Sequence, residues 1–359
     1  KGEYRPDLAS KERRMSTQFV FGLGTNTSNT ITAMILEVPE VELRLLENAN
    51  RIFSKIIIPE MTRDAMVRIG TDGEQLGYVK ELLAVGFMHT ENRSAESFTH
   101  WHLEVMNTAL GEDDKLYALR NDLICQNKDK YNALFQTEMK QFLENDFGLS
   151  FKPIYLDEDL NNEFLLDHER NIASYDVDDK FVPQSLREEL GARKKEMDAL
   201  MKKLGVQGFI AEEIARRETR QEKTEMSPRE LKAQWRETYK KHGFSSQGFA
   251  QHQNFNQVKD PEAVLPSPRV LISNYLRKSK KIEFTEDQFK SHILKQLLNT
   301  CSRDTAERYA EEIFSSQCLQ MIDKEQGEYF KVWPRCQVYD SISIGYDQVQ
   351  HRVIACAKR

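Results

Sequence analysis

His89–Thr90–Glu91–Asn92–Arg93–Ser94–Ala95–Glu96–Ser97–Phe98–Thr99–His100–Trp101–His102 places three of the chain's eight histidines within fourteen residues. Leu83–Ala84–Val85–Gly86–Phe87–Met88 precedes it and Leu103–Glu104–Val105–Met106 follows, and both read as strand. The ten polar residues between His89 and His100 suit a hairpin loop, longer than the usual two to five. Side chains alternate along a strand, so His100 and His102 share a face and Trp101 packs on the other. If the strands pair antiparallel, His89 ends the first beside the start of the second. Three imidazoles then converge and make half of a metal coordination sphere, with open positions for water or a substrate oxygen. Neutral imidazole suits zinc, manganese, iron, nickel or copper, and three nitrogens alone do not choose among them. An H-x-H pair by itself is more often a pair of unrelated histidines in a polar hairpin; a third on the partner strand brings the metal reading level with that one.

At 359 residues the chain has room for two or three domains. Its 39% hydrophobic and 30% charged content suits a soluble, rather polar protein, and no run of about 18 apolar residues spans a membrane. The start, Lys1–Gly2–Glu3–Tyr4, has no apolar signal region and no Met, which reads as a fragment or a trimmed chain. Five scattered cysteines without a C-x-x-C pair point to a reducing, cytoplasmic setting. The net charge of −6 counts against nucleic-acid binding as a whole-chain property, although charge can be segregated. Basic clusters at Lys11–Arg14, Arg193–Lys195, Lys202–Lys203, Arg216–Arg220 and Arg277–Lys281 mostly alternate with acids and fit solvated helix faces.

Around the hairpin the elements are mixed. Thr17–Phe21 reads as a strand, and Thr25–Ser28 as the cap of a helix from about Asn29 to Leu36. No G-x-x-x-x-G-K-[ST] follows, which removes a phosphate-loop reading. Val38–Ile58 has helical apolar spacing and is expected to end before Pro59. Ala65–Ile69 reads as a strand, and the segment after Asp122 as a long helix with Ile124, Tyr131, Leu134, Phe135, Phe142 and Leu143 inward. The acids at Asp157–Asp159 with His168 read as a solvated turn rather than a second metal site. Ser185–Phe244 is charged and helical, with Ser227 as an N-cap before Pro228. Ser245–Pro268 reads as a linker. Beyond it, helices at Val270–Leu276, after Thr285 and at Arg303–Ser316, with strands Leu319–Ile322 and Tyr329–Val332 about Gly327, form a winged-helix-like pattern.

The spacing H-x-x-x-R, six residues, H-x-H at His89, Arg93, His100 and His102 resembles the metal-binding hairpin of MobF-type conjugative relaxases, the TraI/TrwC-like family. That hairpin reads like H-[DE]-T-S-R-x-x-x-P-Q-L-H-T-H. Here Ser94 follows the arginine, Ser97–Phe98–Thr99 replaces Pro–Gln–Leu, and Trp101 replaces the inner threonine. Against the family's D-L-T-F-S-A-P-K-S-like segment, Gln18 stands at the aspartate that partners a metal histidine and Thr25 at the lysine. A W-x-A-L-x-x-D-like segment matches at Ala118, Leu119 and Asp122. A finger-like region matches through Arg193, through Thr219–Arg220 with Lys223, and through Trp235 with Gly243–Phe244.

The resemblance implies an α+β fold: an antiparallel sheet with a histidine-triad hairpin flanked by helices, a helical finger region and a small winged-helix-like C-terminal domain. The expected divisions are a core at 1–180, fingers at 181–250, a linker at 251–268, the winged-helix-like unit at 269–336 and a tail at 337–359. It implies a divalent ion (magnesium, manganese or a transition metal) on His89, His100 and His102 that holds the scissile phosphate of single-stranded DNA. Gln18 and Arg93 are then neighbours of the metal or phosphate, and Arg193, Arg220 and Lys223 are DNA contacts. Other conjugation proteins are further partners, and a membrane is not. The family's nucleophilic tyrosines lie upstream of the strand matched by Thr17–Phe21, and Tyr4 aligns with a connecting segment. The expectation is therefore a relaxase lacking its nucleophile segment and, since no Walker A lysine follows, its helicase motor. Two alternatives stay open: an inactive remnant that binds single-stranded DNA, and a scaffold whose histidines are structural.

Overall fold

The computed structural model describes residues 16–332, except 71–72, 74, 93–94, 157–169, 191, 206–213, 216–217, 220–225, 246–264, 280–282, 299, 317–318 and 325–326. The turn expected at Asp157–Asp159 with His168 lies outside the described residues, as do most of the expected linker and the tail from 337.

Five antiparallel strands form the central sheet: β1 (Ser16–Gly22), β2 (Met66–Ile69), β3 (Gln75–Glu91), β4 (Ser97–Gly111) and β5 (Leu116–Arg120). Their order is β1-β4-β3-β2-β5, and β5 also pairs with the end of β4. β3 and β4 are the long hairpin. Their pairing runs to Glu91 opposite Ser97, so the loop is Asn92–Glu96 and not the ten-residue loop expected from polarity. Polar side chains on the solvent face of a strand carry no information against pairing, because the ladder uses only the backbone.

From Ser97 to Met106 burial along β4 alternates strictly. Ser97, Thr99, Trp101, Leu103 and Val105 are buried, while Phe98, His100, His102, Glu104 and Met106 are not. The buried set, with Phe19 and Phe21 of β1, faces a layer of helices. In that layer α1 is Thr25–Glu37, α2 is Glu40–Ile52, α3 is Ile58–Asp64, α4 is Asn121–Gln126 and α5 is Lys128–Phe147. Phe135 of α5 sits at the centre, with ring centroids 5.0 Å from Phe21, 5.4 Å from Phe53 and 5.2 Å from Trp101. Each such pair adds roughly 0.5–1.5 kcal/mol beyond its buried area.

The helix expected to stop before Pro59 instead continues to Asp64. A π-helical turn at Phe53–Ile57 separates α2 from α3. Pro59 then falls in the first turn of the α-helical segment that follows, where the local change of hydrogen-bond pattern accommodates its missing N–H. The helix after β1 also begins earlier than expected, at Thr25. Its first turn is capped from a distance: Asp176, on strand β7 (Ile172–Val177), accepts from the backbone N–H of Asn26 at 3.0 Å and of Thr27 at 2.7 Å, and from the Thr27 hydroxyl at 2.7 Å. A carboxylate here faces the positive end of the helix. Burial pushes the Asp176 carboxyl up, and these hydrogen bonds oppose that shift. Gly24 is required beside it, since a Cβ there would lie 2.2 Å from the Asp176 carboxyl carbon.

β7 pairs with β6 (Phe151–Tyr155) as a separate ribbon. Helices described beyond it include α6 (Gln184–Glu189), α7 (Ala192–Leu204) and α8 (Pro228–Lys241), the last opened by a complete Ser227/Glu230 capping box. The C-terminal unit comprises α9 (Pro268–Ser279), β8 (Glu283–Phe284), α10 (Glu286–Leu297), α11 (Arg303–Phe314), β9 (Leu319–Lys324) and β10 (Gly327–Val332). Its strands form an antiparallel sheet in the order β8-β10-β9. α10 packs along α5. There the buried Lys130 ammonium meets Asp64 at 2.6 Å, Asp287 at 3.1 Å and Glu60 at 3.6 Å, tying the C-terminal unit to the core.

Removing the remote cap tests this account. Asp176→Ala leaves buried donors unpaired and is expected to lower the unfolding free energy by about 2–3 kcal/mol. Urea titration followed by circular dichroism measures it, and Asp176→Asn should fall between the two.

Candidate metal centre

The face of the sheet opposite the helices carries the histidines. His89 lies directly across from His100, and His102 lies between Phe87 of β3 and Val20 of β1. Directly opposed residues project to the same side, so the register alone brings the three rings together. One donor nitrogen from each ring can be chosen so that all three lie within 4.8 Å of one another. Ring centroids are 4.4 Å apart for His89 and His102, 4.8 Å for His100 and His102, and 5.4 Å for His89 and His100. A register irregularity between His89 and Glu91 ends the regular ladder beside the cluster.

Electrostatics keep the rings ready for a cation. Burial, then the neighbouring His100 and His89, pull His102 down to about 4, with Glu104 opposing. His100 is also lowered, chiefly by burial. Both are therefore neutral at pH 7, as a metal ligand must be. Nδ1 of His100 lies 2.8 Å from the Phe98 carbonyl, which only accepts, so Nδ1 carries the proton and Nε2 presents its lone pair. Three imidazoles suit a divalent ion of moderate softness, and open positions would remain for oxygen ligands.

Gln18 stands across from Glu104 and donates to its carboxylate at 3.1 Å, while Ser16 donates at 3.2 Å. The carboxylate nearest His102 along its own strand face is thus Glu104, which a strand-alternation count from His102 would have found. Arg93, Arg220 and Lys223 lie outside the described residues. Arg193 stands in α7, where its side chain is not described.

A polar seam holds the hairpin tip from behind. The Trp235 indole of α8 donates to the Ala95 carbonyl at 2.8 Å. Tyr239 donates to Ser97 at 2.7 Å, and Ser97 donates to Asn29 of α1 at 2.7 Å. Ser28 donates to the Thr99 carbonyl at 3.0 Å, and Thr32 and Thr99 share a hydrogen bond at 2.8 Å. Burial pushes the Tyr239 phenol well up, so it remains a donor. Ala95 has φ of 60°, a left-handed conformation uncommon for alanine, at the point where Trp235 grips the loop.

Comparison with known proteins follows the same lines. The family model of the TrwC relaxase matches residues 28–242, more than half of the chain. Several solved structures share the fold. Conjugative relaxase TrwC in complex with oriT DNA, metal-free, has 17% identity and a TM-score of 0.50 over 68% of this chain and 79% of that one. A copper-bound structure of the same relaxase with oriT DNA has 17% identity and a TM-score of 0.50 over 68% and 78% of the two chains. TrwC complexed with a 27-mer DNA comprising the recognition hairpin and the cleavage site has 18% identity and a TM-score of 0.50 over 68% and 82%. No curated protein matches in sequence.

The seam makes its own prediction. Trp235→Phe keeps the ring but leaves the Ala95 carbonyl unpaired, at a cost of about 1–3 kcal/mol. Hydrogen exchange should then speed up at residues 95–99 relative to the centre of β4.

Proposed function

The chain belongs to the TrwC relaxase family, and on that premise we propose that it is a conjugative DNA relaxase domain whose His89, His100 and His102 hold a divalent cation beside a phosphate of single-stranded DNA. The observation that carries this reading is the convergence of three imidazoles, two of them held neutral, on the open face of a sheet. The bound cation, whether magnesium, manganese or a transition metal, would polarise a non-bridging phosphate oxygen and stabilise the charge that builds there.

The chain's own residues do the positioning. The Phe98 carbonyl fixes the His100 tautomer, and the β3–β4 register sets the spacing of the rings. Val20, Val85 and Phe87 lie 57%, 43% and 47% exposed on the same face. They supply an apolar floor beside the rings on which an unstacked nucleotide can rest, with Phe87 as the stacking surface. Arg193, Arg220, Lys223 and Arg93 remain proposed contacts to the DNA backbone, where each cation would displace a counterion. Gln18 is proposed to act indirectly, by orienting Glu104 next to His102. We divide the chain into a core at 1–180, helical fingers at 181–250, a linker at 251–268, a winged-helix-like unit at 269–336 and a tail at 337–359. Among the described residues no helix is long and apolar enough to cross a membrane.

Metal titration by calorimetry tests the reading, with Mn²⁺ and Zn²⁺ as probes. His100→Ala and His102→Ala should each weaken binding by at least about tenfold and leave the fold intact by circular dichroism. Unchanged metal affinity in both variants would return the histidines to a structural role. Nicking of an oriT oligonucleotide, assayed with and without an added upstream tyrosine segment, then separates a cutting relaxase from a protein that only binds the strand.

A further inference from the structure

A second site lies on the helical side of the sheet, away from the histidine cluster. Between α5 and the C-terminal unit is a cleft of about 490 Å³. Its walls include Asp129 and Asn132 of α5, Lys278 of α9, and Asp287, His292 and Lys295 of α10.

Three features set this cleft apart. His292 is 2% exposed, and beyond a weak approach to the Leu271 backbone its ring nitrogens have no hydrogen-bond partner among the described residues. A fully buried imidazole with at least one nitrogen unpaired carries a desolvation cost that native structures rarely leave uncompensated. The side-chain oxygen of Asn132 is likewise buried and unpartnered. Lys278 and Lys295 line the same cleft, and neither has a carboxylate within ion-pair distance among the described residues, although Asp129 acts on both from further off. Asp287, the other acid of the lining, is engaged by Lys130 at 3.1 Å.

We propose that this cleft is a binding site for a phosphate ester, in which Lys278 and Lys295 hold the phosphate while His292 and Asn132 meet the hydroxyl or N–H groups of the organic part. The charge balance favours an anion: two lysines face one unpaired acid. Burial and the charge of Lys278 hold Lys295 down to about 8, and a bridging phosphate would relieve the repulsion between the two lysines. The volume exceeds that of a lone phosphate and lies within the range of small-molecule sites. Phosphate chemistry of this kind comes either from a free nucleotide or from one nucleotide of a DNA strand. The site is independent of the metal centre, and neither proposal stands or falls with the other.

Calorimetry on the full chain in a chelating buffer tests it, with inorganic phosphate, dAMP and a short single-stranded oligonucleotide as probes. The chelator removes metal-dependent binding at the histidine cluster. Phosphate and dAMP should both bind, dAMP more tightly, and Lys278→Gln and Lys295→Gln should each weaken dAMP by about tenfold. Histidine ¹⁵N spectra should show one buried imidazole shifting on dAMP addition, and that shift should be lost in the lysine double variant. Oligonucleotide affinity that falls in the lysine variants assigns the cleft to the DNA strand; unchanged oligonucleotide affinity with weakened dAMP assigns it to a free nucleotide. No binding of any probe, or dAMP binding unaffected by both substitutions, overturns the proposal.

Discussion

The antiparallel register of β3 against β4 is the constraint on which the rest depends. It sets His89 across from His100 and places Phe87 and Val20 on either side of His102. Because side chains alternate with a period of two, a slip of one residue in β4 would turn the imidazoles into the core and Trp101 into water. The register is therefore held by the hydrophobic side of the sheet. Phe21, Phe53 and Trp101 pack around Phe135, and Leu103 and Val105 continue the same buried row. The site is polar and open, but the forces that locate it are apolar and lie behind it.

At the hairpin tip that apolar grip runs out. The buried row of β4 ends in Thr99 and Ser97, which cannot hold position by packing alone. Here hydrogen bonding takes over, from Ser28, Asn29 and Thr32 of α1 and from Trp235 and Tyr239 of α8. Every member of that seam is buried, so each unmade bond would carry a full desolvation cost. α1 is itself fixed by Asp176 from a distant strand. The tip of the hairpin thus depends on segments some 70 and 140 residues away in the chain.

Charge is unevenly distributed over a protein that is acidic overall. Several described cations are spent on carboxylates, as Lys130 is on Asp64, Asp287 and Glu60. Lys278 and Lys295 are different: they share a cleft and repel each other. A net charge of −6 describes the sum over the chain and says little about such local fields.

The strands on either side of the histidines, the shared face of His100 and His102, the opposite placement of Trp101 and the inward stripe of α5 at Tyr131, Leu134, Phe135 and Leu143 are all legible along the chain. These follow from periodicity, which is a local property. The sequence also carried the family likeness through His89, His100 and His102. The folded arrangement settled how far the hairpin zips, because backbone pairing is blind to the polar residues Thr90 and Glu91 that suggested a loop. It alone decided that the helix passes Pro59, since a π-turn before the proline shifts the hydrogen-bond pattern. Asp176 capping α1 and His292 meeting Lys278 and Lys295 in one cleft were likewise beyond reach, because both join residues from separate elements by packing that no spacing along the chain records.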